Sequence, residues 1–553
     1  MVSRVAVMSG AQWLSRALAV VLAGGCSARQ APATAPAAAA DPPAPAADAH
    51  FANPILPGFY PDPSVCRVGQ DYYLVTSSFE YFPGVPIFHS QDLVHWRQLG
   101  HVLTRDSQLE LQGADSSQGI FAPTIRHHDG TFYVVTTNVS KGGSFYVTAT
   151  DPAGPWSEPV WLPEPVFTMD PSLTFTDDGH VYYTRHSGLE RGGAYQAELD
   201  PKTGALRAEP QLLWRGTGHV WPEGPHLYAI DGRYYLMLAE GGTSTGHSIT
   251  IARSASPFGP FEPYANNPIL THSTRPEQPI QATGHGDLVQ TAEGNWWLVL
   301  LGIRRWDGAH HHLGRETYLA PVTWSADGWP VVNAGAPLSL EMPSAGLPPP
   351  RPWPAAATRD DFDAATLGLD WNFVRNPRPG SWSLSARPGH LRLSGSTASL
   401  DAVGSPAFVG RRQRHFRASV RAALQFSPTR PEQRAGLTVR ANENNHYDLI
   451  VTGAARERRA QLWARVAATS TLVAEASVEP GPVELSIEAF PDRYELFVGL
   501  GQRALGSVPT APLSSEAAGG FTGVYFGMFA TSSGEPPMPP ADFDWFEYVP
   551  GAG

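Results

Sequence analysis

Three acidic side chains and one imidazole recur at one place in a repeated unit: Asp62 in YPDPS (60–64), Asp170 in MDPSL (169–173), Glu223 in PEGPHLY (222–228) and His285 in TGHGDL (283–288). Each lies seven or nine residues ahead of a turn glycine, at Gly69, Gly179, Gly232 and Gly294. A fifth copy, GIFAPT (119–124) before Gly130, carries Phe121 and Ala122 there instead. An isolated Asp-Pro is ordinarily a turn. Three acids at equivalent places imply a gathered cluster, which costs repulsion and desolvation and occurs where chemistry needs displaced pKa values. Glycoside hydrolysis uses two carboxyl groups flanking one bond, one protonated to assist the leaving oxygen and one ionised on the opposite face. Asp62 and Glu223 belong to non-adjacent units and can face each other. Asp170, beside Glu223, would raise the acid's pKa through its own charge and orient it.

The elements that must position these groups are short strands. After the turn glycines come DYYLVTS (71–77), TFYVVTT (131–137), HVYYTR (180–185), RYYLMLA (233–239) and NWWLVLL (295–301). The glycines are 61, 49, 53 and 62 residues apart. A period near fifty with a hairpin in each unit predicts a five-bladed β-propeller over residues 51–342, all-β, whose innermost strands start at one mouth of a central channel. HSQDLVHW (89–96), ATDPAGPW (149–156) and ARSASPFGPF (252–261) follow hairpins and read as third strands and turns of blades one, two and four. A sandwich would explain the alternation of apolar and polar residues but not the long period. The Pro-rich stretch 343–358 is a linker. Beyond it, 359–553 alternates with period two in runs such as HFRASVRAAL (415–424), AGLTVRA (435–441), YDLIVTG (447–453) and VELSIEAF (483–490), which predicts a C-terminal antiparallel β-sandwich. No long helix is expected in either domain.

At 553 residues the chain has material for two large cores. With 51 acidic against 39 basic residues and no Lys or Arg run, nothing offers a footprint for nucleic acid. A neutral or small polar partner fits better, and the 16 Trp residues include faces on which a sugar could stack. At the N-terminus, Arg4 and Arg16 precede an apolar stretch, Ala17 to Ala23, too short to span a bilayer. With Cys26 it resembles a bacterial lipoprotein signal (1–26), although Ala23 stands where Leu is usual. Residues 27–50, rich in Ala and Pro, then read as a tether. The expectation is an exported protein, periplasmic or lipid-anchored, with ordinary secretion as the alternative and no other membrane contact. Cys66 is left without a pairing partner and reads as a buried thiol.

Taken together, NPILPGFYPDPS (53–64), SSFEYFPGVPIFHSQDLVHW (77–96), MDPSL, PEGPHLY, AEGGT (239–243), ATGHGDLV (282–289), NWWLVLLG (295–302) and HHLGRETYLAPV (311–322) closely resemble glycoside hydrolase family 43, in particular its xylosidases and arabinofuranosidases with a C-terminal sandwich. The resemblance implies Asp62 as general base activating water, Glu223 as general acid, Asp170 as pKa modulator, and inversion of the anomeric configuration. It implies Arg315 as a substrate-binding cation, against the bland alternative of a surface ion pair. It makes Phe79 an aromatic wall of the sugar pocket and Thr243 a substrate-side residue, either of which could equally be packing. Phe121 stands where many relatives have Trp, so the pocket floor is expected to differ. No cofactor is required. In some relatives the residue matching His285 contacts a divalent ion, which makes calcium in the channel the one metal the resemblance allows, against a hydrogen-bonded structural His. The run His310, His311 and His312 is read as loop, because adjacent side chains of extended backbone point apart. In GGFTGVYFGMFA (519–530), Phe521 is the candidate to close the site from the sandwich, or else a core strand residue. The implied activity is an exo-acting β-1,4-xylosidase on xylo-oligosaccharides and arabinosylated xylan fragments, with α-L-arabinofuranosidase, or both activities, as the rival. A sugar-binding propeller without turnover would not need three acids, and a fructan-cleaving one would place Arg where Met169 stands.

Overall fold

The computed structural model describes residues 49–551 except 164, 166, 189–191, 455–456 and 533–537. The export segment, Cys26 and all but the last two residues of the tether lie outside the described residues. Five antiparallel sheets follow one another along residues 64–332, each built outward from a first strand: Ser64–Val68, Thr124–His128, Thr168–Phe175, Glu223–Ile230 and Ile280–Gln290. Each first strand packs against that of the next blade, and the fifth returns to the first, so the ring closes. The second strands, Asp71–Val75, Thr131–Asn138, Val181–Ser187, Arg233–Glu240 and Trp296–Arg304, fall where the aromatic runs predicted them. All five turn glycines have positive φ, between 64° and 91°, the conformation that lets a tight hairpin follow the strand twist. Helix is confined to short pieces among the described residues, such as Ser515–Ala518.

Chain closure uses the N-terminal segment. His50–Ala52 pairs with Glu341–Pro343, and residues 53–60 then run along blade five. There the Asn53 side chain donates to the Leu319 carbonyl at 2.9 Å and the Gly58 N–H donates to Glu316 at 2.8 Å. This stitching leads the chain directly into Asp62.

Buried polar ties hold the ring at its axis. The Asp287 carboxylate, two residues past His285 on the fifth first strand, accepts from Ser64 Oγ (2.6 Å) in blade one, Arg126 Nη1 (2.8 Å) in blade two and Tyr228 OH (2.7 Å) in blade four. Ser172 Oγ donates to the Pro225 carbonyl at 2.6 Å, joining blades three and four. One largely buried ion pair, Arg126 with Asp287, and the hydroxyls of Ser64, Tyr228 and Ser172 thus tie the blades together.

The sandwich has two sheets. One contains Ala418–Gln425, Val483–Ala489, Arg493–Val498 and Ala541–Pro550; the other contains Ala407–Arg412, Arg434–Asn442, Asn445–Ala454, Glu457–Val466 and Tyr525–Thr531. Their alternating apolar residues, such as Val420, Leu437, Leu449, Ile487 and Phe526, meet in a common core. The sandwich is joined to the propeller by more than the linker. Tyr81–Phe82 pairs with Phe373–Val374, the Tyr81 and Tyr525 rings stack at 3.9 Å, buried Arg440 donates to Tyr81 OH at 3.2 Å, and Ser116 Oγ donates to Glu443 at 2.5 Å.

Candidate active site

The local backbone aims the repeated groups. Asp62, Asp170 and His285 all adopt left-handed φ (53°, 53° and 44°), a conformation that costs a side-chain-bearing residue energy and recurs at functional sites. The strand ladders are irregular between Met169 and Ser172, between Glu223 and His226, and between Gln281 and Gly286, where bulges turn side chains into the channel. One detail of the repeat is corrected by the structure. In blade four the left-handed position belongs to Gly224 (φ 59°), and Glu223 precedes it. The His285 ring explains this, since a Cβ on Gly224 would lie 3.0 Å from it. The acid is supplied from the neighbouring residue.

Asp62, Phe79, Phe121, Thr243, His285, Arg315 and Phe521 line one cavity with Asp170 and Glu223, so all nine residues singled out from the sequence come together. The cavity measures about 70 Å³, room for roughly five waters. A wider cleft of about 900 Å³ between blade one, the linker and the sandwich contains none of these residues.

The electrostatics separate the three acids. Burial alone would raise the Asp62 carboxyl, but Arg315, His285 and a hydrogen bond from Ser77 outweigh it and hold it below the usual carboxylate range. Arg315 Nη1 donates to Asp62 Oδ1 at 2.7 Å and Ser77 Oγ donates to Oδ2 at 2.6 Å; His285 Nδ1 stands 3.7 Å from Oδ1. Asp170 is pushed up, first by burial and then by the charge of Asp62, while the Gly224 N–H donates to it at 3.1 Å. Glu223 is raised well above its ordinary value by burial first, then by Asp170 and Asp62. Part of Glu223 reaches solvent, yet its carboxyl sits within the cavity walls. The arrangement therefore sets one carboxyl biased toward ionisation against another biased toward its protonated form in the same pocket.

Arg315 is buried rather than at the surface. It bridges Asp62 and Thr243 Oγ1 (3.2 Å), its Nε has no partner among the described residues, and its guanidinium lies 5.6 Å over Phe79 and 5.5 Å over Phe521. Phe521 is contributed by the loop before Tyr525–Thr531, not by the strand itself. Its ring stacks on Phe79 at 6.0 Å and meets Phe121 edge-on at 6.3 Å, so the smaller Phe121 leaves an aromatic corner of three phenyl rings. Two chains cross closely to bring Phe521 and Arg315 together, since a Cβ on Gly523 would lie 2.2 Å from the Leu313 carbonyl oxygen. The neighbouring histidines diverge: His310 contacts Asp307 (2.6 Å), His311 contacts Glu516 (2.8 Å), and His312 is buried against Phe416 and Tyr494. Among the described residues no three His, Cys, Asp or Glu side chains form a metal-holding group. Burial pushes the Cys66 thiol up to about 12, which makes it a poor nucleophile.

Sequence reasoning missed His247. This residue precedes the third strand of blade four, Ser248–Ser254, and lines the cavity beside Met169 and Ala122. Burial, with His285 and Arg315 nearby, lowers it to about 3, so it is neutral. The available signal was its place four residues beyond AEGGT, a polar group at the start of an apolar strand. Its ring fills the space over Gly284, where a Cβ would meet it at 2.2 Å. Gly284→Ala is expected to destabilise the fold by about 1–3 kcal/mol through overpacking, read as a lower urea midpoint with an unchanged slope.

The profile described as glycosyl hydrolases family 43 matches residues 51–330, and that of a beta xylosidase C-terminal Concanavalin A-like domain matches 359–549. The chain is 46% identical to a non-reducing end alpha-L-arabinofuranosidase of Bacteroides ovatus, over 90% of this chain and 94% of that one. It is 41% identical to a xylosidase/arabinosidase of Butyrivibrio fibrisolvens, over 89% and 98%. A solved structure titled Bacteroides ovatus Xyloglucan PUL GH43B superposes with a TM-score of 0.87 at 45% identity, covering 90% of this chain and 99% of that one. Matched through its propeller, its sandwich and nearly the full length of such relatives, the chain belongs to glycoside hydrolase family 43.

Proposed function

We propose that this hydrolase removes single pentose units from non-reducing ends with inversion, Asp62 acting as the general base on water, Glu223 as the general acid on the leaving oxygen, and Asp170 keeping Glu223 protonated. The carrying observation is the opposed setting of two carboxyl groups in one pocket, Asp62 below and Glu223 well above the ordinary range. Arg315 keeps Asp62 ionised and has a buried Nε, unpartnered among the described residues, to offer a sugar hydroxyl. The small cavity, walled on one side by Phe521 from the second domain, suits one terminal ring rather than the middle of a polysaccharide. The first reading is a β-xylosidase acting on xylo-oligosaccharides. The Bacteroides ovatus relative favours a second, release of α-L-arabinofuranosyl ends. Paired kinetics on the 4-nitrophenyl derivatives of β-D-xylose and α-L-arabinofuranose decide between them, and binding of xylo-oligosaccharide without turnover of either between pH 4 and 8 would refute the assignment.

Phe521→Ala is expected to raise KM about tenfold with a smaller change in kcat. The ring contacts the bound sugar's surroundings in ground and transition state alike, so its loss removes uniform binding.

A further inference from the structure

Two aromatic rings stand exposed beside the pocket without lining it. Phe167 is 71% exposed and Trp221 is 55% exposed. They precede Asp170 by three residues and Glu223 by two, on the rims of blades three and four. Both hold left-handed backbone, φ 64° and 56°. Bulky residues rarely adopt this conformation, and here it is combined with an apolar surface left in water. Neither ring has an aromatic neighbour among the described residues. The rim is nonetheless firmly held. The buried Glu240 carboxylate accepts from the Thr217 N–H at 2.8 Å and the His219 N–H at 3.2 Å, and the Val220 carbonyl accepts from the Gly241 N–H at 2.8 Å. Trp221 lies against Gly242, where a Cβ would meet its ring at 3.3 Å, and the next residue, Thr243, lines the pocket and bonds Arg315. Phe167 is fixed by its carbonyl, which accepts from the Gly188 N–H at 3.0 Å.

Resting on the reading above, in which Glu223 protonates the leaving oxygen, we propose that Trp221 and Phe167 form a leaving-group subsite, two aromatic faces that receive the sugar on the far side of the scissile bond. The acid must lie next to the departing residue, and Trp221 is the exposed ring nearest to it in the chain. A preorganised apolar face costs little ordering when a pyranose ring covers it. These residues determine specificity and take no part in proton transfer. They make the enzyme favour oligosaccharides over pentosides of small alcohols.

The test compares β-1,4-xylobiose with β-D-xylosyl fluoride, whose leaving group has no ring; if the wild type prefers arabinofuranosyl substrates, the corresponding arabinofuranosyl pair is used. Trp221→Ala and Phe167→Ala should each lower kcat/KM for the disaccharide about tenfold, equivalent to ~1.4 kcal/mol, and for the fluoride far less. Trp221→Phe should restore most of the disaccharide rate. Equal losses on both substrates, or no loss on the disaccharide, overturn the subsite while leaving the hydrolase assignment standing. A wild-type protein inert toward every substrate overturns that assignment and the subsite with it.

Discussion

Glu223→Ala should lower turnover of natural oligosaccharides by about 10²–10⁴-fold, the contribution of a positioned proton donor. The same variant should retain far more of its rate on a pentoside whose leaving group departs without a proton. Asp62→Ala should lose activity on both kinds of substrate, because activated water is needed in either case. Equal losses for Glu223→Ala on activated and unactivated substrates would count against its role. The pH profile carries the same information. Asp62 is ionised down to below the ordinary carboxylate range, and Glu223 stays protonated to well above its ordinary 4.5. The alkaline limb of kcat/KM therefore belongs to Glu223 and should disappear in Glu223→Gln when an activated substrate is used. Stability moves the other way. A carboxyl whose folded pKa is raised gives its full stability below the unfolded value and loses it as pH rises through the folded one. At neutral pH, Glu223→Gln should therefore melt at a higher temperature than the wild type, and near pH 3 at the same temperature.

The second large effect is on the fold. Asp287→Ala is expected to destabilise the protein by about 3–5 kcal/mol, because it leaves the largely buried Arg126, beside His226, without its counter-ion. Burial opposes the ionised form of Asp287, but Arg126, His226 and the hydrogen bonds from Arg126 and Ser64 together hold its pKa far below the usual range. A depressed folded pKa contributes stability that is fully present above the unfolded value, about 4, and is lost progressively as pH falls from there through the folded value. Urea midpoints at pH 7 should therefore show the full difference between wild type and variant, and the difference should narrow as pH falls below about 4. An unchanged midpoint at pH 7 would mean that the axis is held by the blades' apolar packing alone.

The sequence reading reached as far as periodicity could carry it. Hairpins announced themselves because a turn needing positive φ selects glycine, as at Gly130 and Gly294, and because their second strands are aromatic and β-branched. The same register led from those turns back to Asp62, Asp170 and His285. It was one residue out at Glu223, where the left-handed backbone at 224 and the closeness of the His285 ring together favour glycine. His247 escaped because it stands just ahead of a third strand, a position the register of first strands does not reach. Asp287 lay within a quoted motif, ATGHGDLV, but its four-blade role depends on Ser64, Arg126 and Tyr228, which only the closed ring brings near. Phe521 was found by resemblance. Its place follows from the docking of one domain on another, and no local pattern records that.

The first of the three pocket acids, Asp62, meets its guanidinium 253 residues later. A polypeptide growing from its N-terminus thus has all three acids long before it has Arg315, and Phe521 arrives only near the end. Shortened products ending before Arg315, in the first half of blade five, would lack the counter-charge that keeps Asp62 ionised, whatever the quality of their earlier blades. Competence in this enzyme should appear abruptly with completion of the chain.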